Sequence, residues 1–93
     1  MNKEERKAIQ NQYMDKMVER LPTLRSAAKL TQNQFAKKLG VARSTIVVIE
    51  SRGRQLQWNM YLAMILVFMQ HEDSKKLLES FELFDEKFLD GIK

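Results

Sequence analysis

The sequence contains no cysteine, one histidine, one proline and three glycines among its 93 residues. Without cysteine there is no disulfide framework, no thiolate zinc site and no thiol nucleophile. A lone histidine, His71, leaves no Ser/His or His/His pair for catalysis or metal binding, and it reads as a surface residue. So little glycine and proline argues against a turn-rich all-β fold and for helices. Long hydrophobic runs are missing as well. The most apolar stretch, Asn59 to Met69, is far short of the ~20 residues that a bilayer-spanning helix needs. The start, Met1 to Lys7, is charged and has no apolar h-region, so no signal peptide and a cytoplasmic location are expected.

What remains is a chain 44% apolar and 30% charged, the composition of a single globular domain. The net charge of +4 is unevenly spread. Residues 1–54 hold 12 Lys and Arg against 5 Asp and Glu, whereas residues 55–93 hold 4 against 7. A basic end on a small domain suits a polyanion, because phosphates attract Lys and Arg and release condensed counterions.

Apolar spacing predicts helices throughout. Met14, Met17, Val18 and Leu21 fall at i, i+3, i+4 and i+7, with Ile9 and Tyr13 extending the stripe backward, so Lys3 to Arg20 reads as an amphipathic helix. Pro22 is expected to end it and to open a short helix to Ala28, which buries Leu24 and Ala28. Thr31-Gln32-Asn33-Gln34 has the form of a capping box, starting a helix that runs to Leu39 and stops at Gly40. A further short helix spans Arg43 to about Ser51, burying Ile46 and Ile49, and Arg52-Gly53-Arg54-Gln55 forms a basic loop. Asn59 to Met69 is apolar nearly all round and must be covered on more than one side. Trp58 just before it reads as a core anchor. Leu77, Phe81, Phe84 and Phe88, at spacings of 4, 3 and 4, predict one amphipathic C-terminal helix. Asp85, Glu86 and Asp90 solvate that helix rather than bind a metal, since no loop supplies backbone ligands at calcium spacing. The expected organisation is an extension over 1–21, a core over 22–71 and a C-terminal helix over 72–93.

Two short helices meeting steeply across a tight turn need particular residues. Ala36 is small where the helices cross, Gly40 tolerates left-handed angles, and Ile46 and Ile49 anchor the second helix. Arg43, Ser44, Val47 and Val48 are left facing outward, on a surface sized for a major groove. The strings Leu30-Thr31-Gln32, Phe35-Ala36-x-x-Leu39-Gly40-Val41 and Ser44-Thr45-Ile46-x-x-Ile49-Glu50 resemble the helix-turn-helix domain of the phage-repressor and Cro type, also called the xenobiotic-response-element type.

The resemblance covers roughly half of the chain. It implies an all-α, lambda-repressor-like five-helix bundle, here with an added N-terminal helix and a C-terminal amphipathic helix. It also implies a sequence-specific regulator of transcription, usually a dimeric repressor on double-stranded DNA. Arg43 and Ser44 match base-reading positions, with Val47 and Val48 beside them. An arginine in that place can bind guanine O6 and N7 together. Gln32 is similar to a glutamine that contacts phosphate, as helix N-termini favour anions. Arg52, Arg54 and Asn59 match a loop and helix start that grip phosphate, and Lys37 and Lys38 lie near the same side. Arg25 and Glu50 match a structural salt bridge.

Two departures matter. Ala42 stands where a capping Ser or Thr is usual. Val47 and Val48 side by side either meet thymine methyl groups or mark a face that contacts protein instead. A homodimer through Met60, Met64, Phe68 and the C-terminal helix is expected. Rival readings keep the fold as an antitoxin or another protein-interaction module with a protein partner, or drop DNA binding altogether. No cofactor, metal or catalytic residue is implied, because no acid–base or nucleophilic pair can be assembled.

Overall fold

The computed structural model describes residues 1–93 and contains six helices with no strands. They are α1 (Lys3–Ala27), α2 (Gln32–Leu39), α3 (Arg43–Glu50), α4 (Trp58–Phe68), α5 (Glu72–Ser80) and α6 (Glu86–Asp90). The all-α class expected from the sequence is the class observed.

Helix α1 is the spine of the molecule. It begins at an Asn2 cap, whose side chain accepts from the Glu5 amide at 2.8 Å. It packs against α3, α4, α5 and α6. At 1.5 Å per residue its 25 residues reach about 37 Å, as long as the 37 Å maximum extent of the whole protein.

The expected break at Pro22 does not occur, because α1 runs through it to Ala27. Proline within a helix costs about 3 kcal/mol through one lost backbone bond and a ring clash. Continuity brings Met14, Met17, Leu21, Leu24 and Ala28 into one buried stripe. Full burial of each large apolar side chain contributes about 1.5–3 kcal/mol, so Leu21 and Leu24 together offset the proline. Pro22 itself is exposed, and only the Val18 carbonyl loses its helical donor. The boundary expected between extension and core therefore lies inside a continuous helix.

The C-terminal region also differs from expectation. In place of one helix there are two, α5 and α6, separated at residues 81–85. The turn after α5 has the Glu82 amide donating to the Glu79 carbonyl and the Leu83 amide donating to the Leu78 carbonyl, with Glu82 at a φ of 58°. This break seats Leu83 and Phe88 in the core and leaves Phe84 exposed. Asp85 then caps α6, accepting from the Phe88 amide at 2.8 Å.

The core draws on every helix and is rich in aromatic rings where the tail meets α1 and α4. Trp58 stacks on Tyr61 at 5.0 Å, and Phe88 lies within 6 Å of Tyr13, Trp58 and Tyr61. Gly91 lets this corner close, since a Cβ there would come within 3.3 Å of the Trp58 ring. Polar groups in the corner are paired. The Tyr61 hydroxyl donates to the Leu83 carbonyl, the Tyr13 hydroxyl to Asp85 Oδ1, Lys16 Nζ to the Glu82 carbonyl and Gln10 Nε2 to the Gly91 carbonyl.

Helix α4, apolar on nearly all sides, is covered by α1, α2 and α5. Met64 and Phe68 are consequently fully buried within their own chain, with Phe68 stacked on Phe35 at 5.0 Å. The expected interface through Met60, Met64 and Phe68 therefore fails at Met64 and Phe68: the monomer's own core already surrounds them. Leu66, at 65% exposure, is the large side chain that α4 presents to solvent.

Candidate nucleic-acid interface

The unit formed by α2, the turn at Gly40 and α3 is fixed by local chemistry. Thr31 Oγ1 accepts from the Gln34 amide at 3.1 Å while Gln34 Oε1 accepts from the Thr31 amide at 2.9 Å, so the capping box is complete. Gly40 takes a φ of 75°, a left-handed conformation that glycine adopts without strain. The Gly40 and Val41 amides return to the Lys37 and Ala36 carbonyls. Ala36 is buried where α2 meets α3, and Ile46 and Ile49 fix α3 against the core. Ala42 gives α3 no side-chain cap.

What α3 turns outward is Arg43 and Ser44, both exposed, with Val47 and Val48 at 36% and 38% exposure. Behind them runs a chain of polar contacts. Arg25 Nε donates to Glu50 Oε2 at 2.9 Å and Arg25 Nη2 donates to Glu50 Oε1 at 3.1 Å, a two-point ion pair joining α1 to the end of α3. Arg25 Nη1 also donates to the Leu30 carbonyl, fixing the turn between α1 and α2. Gln32 Nε2 donates to Glu50 Oε1 at 3.1 Å, and Arg43 Nη2 donates to Gln32 Oε1 at 3.4 Å. The four residues thus form one continuous network from the spine to the leading residue of α3. Only one amide proton of Gln32 is used by Glu50, leaving the second for another acceptor.

The remaining basic residues frame this surface. Lys37 and Lys38 are exposed in the last turn of α2. Arg52 and Arg54 are exposed in the loop after α3, and Asn59 is exposed in the first turn of α4. That loop begins with a tight exit from α3, in which the Arg52 amide donates to Ile49 and the Gly53 amide to Val48, with Arg52 at a φ of 64°.

One feature of the surface has no counterpart in the motif. An open groove of about 540 Å³ separates α1 from the loop after α3, and Asp15 and Glu19 line it together with Arg52 and Arg54. The signal for it in the sequence is faint, an acidic i, i+4 pair on an otherwise basic half of the chain. The Tyr13–Asp85 contact was equally hidden, since it joins residues far apart in sequence. No group of three or more His, Asp or Glu side chains gathers as a metal site, and no helix is long and apolar enough to cross a membrane.

Residues 23–56 match the family model described as Helix-turn-helix. The span takes in the end of α1, all of α2 and α3 and the loop through Leu56. Residues 23–56 therefore form a helix-turn-helix unit of the xenobiotic-response-element type, a class of DNA-binding regulatory domains. No curated protein and no solved structure matches the chain.

Proposed function

We propose that the protein represses transcription as a homodimer on a two-fold operator, with α3 of each copy in the major groove. The observation that carries this reading is the exposed face of α3, led by Arg43 and braced from behind by Gln32, Glu50 and Arg25. Arg43 and Ser44 read base edges, Arg43 as a two-point donor to guanine, and Val47 and Val48 meet thymine methyl groups. Gln32, Lys37, Lys38, Arg52, Arg54 and Asn59 hold phosphates, which set position and affinity rather than sequence. Two such helices about 34 Å apart would span one turn of DNA. Leu66 on α4 and, at the C-terminal end, Leu89 and Ile92 are exposed apolar side chains that a dimer contact could use. A cytoplasmic site of action goes with this reading.

Selection from a randomised duplex library tests it. A two-fold-symmetric site should emerge, and its affinity should fall steeply with salt. Arg43→Ala should cost about 1–3 kcal/mol and relax preference at one position of each half-site, whereas Arg54→Ala should weaken all sequences alike. Equal weakening by both substitutions would refute the division of roles. Sedimentation of the free protein checks the dimer, and a monomer at high micromolar concentration would exclude it.

A further inference from the structure

The groove between α1 and the loop after α3 juxtaposes charges of opposite sign at the edge of the proposed phosphate-binding surface. Met14, Val18 and Leu56 contribute its apolar lining, and Asp15, Glu19, Arg52 and Arg54 supply its charge. All four charged residues are exposed, and none forms an ion pair within 4.0 Å. All four line one and the same groove, and exposed charges act on each other over a Debye length of about 8 Å at physiological salt. The carboxylates are thus close enough to act on whatever the guanidinium groups bind, yet not locked to them. Asp15 and Glu19 stand four residues apart on one helix, so both carboxylates share the face that borders the groove.

We infer that Asp15 and Glu19 act as affinity-tuning residues by opposing phosphate at Arg52 and Arg54. This rests on the DNA-binding reading above. A DNA strand gripped by the two arginines brings its phosphates toward two fixed negative charges. The repulsion falls on every duplex, whatever its sequence, because phosphates carry no sequence information. Base contacts from α3 are untouched by it. Because the operator complex carries the same phosphate contacts, operator and bulk DNA are weakened by the same factor, so the two carboxylates set absolute affinity and its salt dependence and leave the ratio between the two unchanged. The rigid spine supports this role, since α1 cannot carry Asp15 and Glu19 away without disturbing Met14 and Met17, which are buried beside them.

The test compares the full-length protein with its Asp15→Asn/Glu19→Gln variant on a short random-sequence duplex, at about 50 and about 200 mM salt. The variant should bind about three- to tenfold more tightly at the lower salt, as expected for two exposed charge interactions, and the gain should shrink at the higher salt. A Glu79→Gln/Glu86→Gln variant, equal in net charge but altered on α5 and α6, should gain much less. In an Arg52→Gln/Arg54→Gln background the effect of neutralising Asp15 and Glu19 should largely disappear, an outcome that a general change in charge or stability would not produce. Because both carboxylates are exposed, thermal melting should be little changed. Binding by the wild type with no gain in the Asp15/Glu19 variant, or a gain matched by the α5 and α6 variant, would overturn the inference alone. Failure of the wild type to bind any duplex would overturn the DNA-binding reading and the inference with it.

Discussion

Glu82 holds a backbone φ of 58° although it is not glycine, and Lys29 and Arg52 do the same at 59° and 64°. Each follows the last turn of a helix and lets two amides fold back onto carbonyls of that turn. A side chain in this conformation costs roughly 1–2 kcal/mol, because Cβ crowds the carbonyl oxygen. Glycine removes that crowding but gives back about 0.4–1 kcal/mol through a freer unfolded chain. At Glu82 the groups that matter are backbone ones: its carbonyl accepts from Lys16 Nζ and its amide donates to the Glu79 carbonyl. Glu82→Gly keeps both, so it should stabilise the protein by about 0.5–1 kcal/mol, seen as a rise of a few degrees in the melting temperature. These positions were invisible in the sequence, where only Gly40 carries the usual mark of a left-handed helix exit. The turns at 29, 52 and 82 are set by what lies beyond them, such as Leu83 entering the core.

Whole elements divide by where their determinants lie. The limits of α2 and the turn to α3 were legible because Thr31, Gln34 and Gly40 act within a few residues of themselves. The course of α1 was not, because the proline rule is local while the burial that overrides it comes from helices far along the chain. Pro22→Ala should therefore stabilise the protein by about 1–3 kcal/mol, by restoring a donor to the Val18 carbonyl and removing the ring clash. Chemical denaturation measures this, and an unchanged midpoint would mean that the helix already absorbs the proline at no cost. The division of the C-terminal helix was half-written in Asp85, a good cap three residues before Phe88. The even spacing of Leu77, Phe81, Phe84 and Phe88 masked it. The direction of α4 was hidden for the opposite reason: an apolar residue at nearly every position leaves no polar face to mark the outside.

At the scale of the whole molecule, acid and alkali should loosen the junction between the tail and α1. Burial pushes the Asp85 carboxyl up, but the Tyr13 hydroxyl, the Phe88 amide and the charges of Lys16 and Lys87 outweigh it and hold the group below its ordinary value. A carboxylate depressed in the folded state contributes stability above its unfolded pKa near 4, and that contribution fades as pH falls through the folded value. Tyr13 shifts the other way. Burial, then the hydrogen bond to Asp85 and the nearby carboxylates, raises its hydroxyl well above the usual range. Its contribution is full below about pH 10 and is lost as pH rises beyond that. Tyr61, raised by burial and then by Tyr13 and Asp85, acts in the same sense. Melting temperature against pH should show a plateau between these limits, and Tyr13→Phe should flatten both shoulders. The candidate interface was more legible than the rest of the assembly because its outward residues sit in one short segment. Which apolar residues stay outside depended on the packing of all six helices.

The uninterrupted passage of α1 from Lys3 into the unit that carries α3 makes the protein a lever as well as a domain. A helical partner fused in phase ahead of Lys3 would be held at a fixed angle to the bound duplex. Each residue added at the junction would swing that cargo by about 100° and advance it about 1.5 Å, so its placement around the DNA could be dialled one residue at a time.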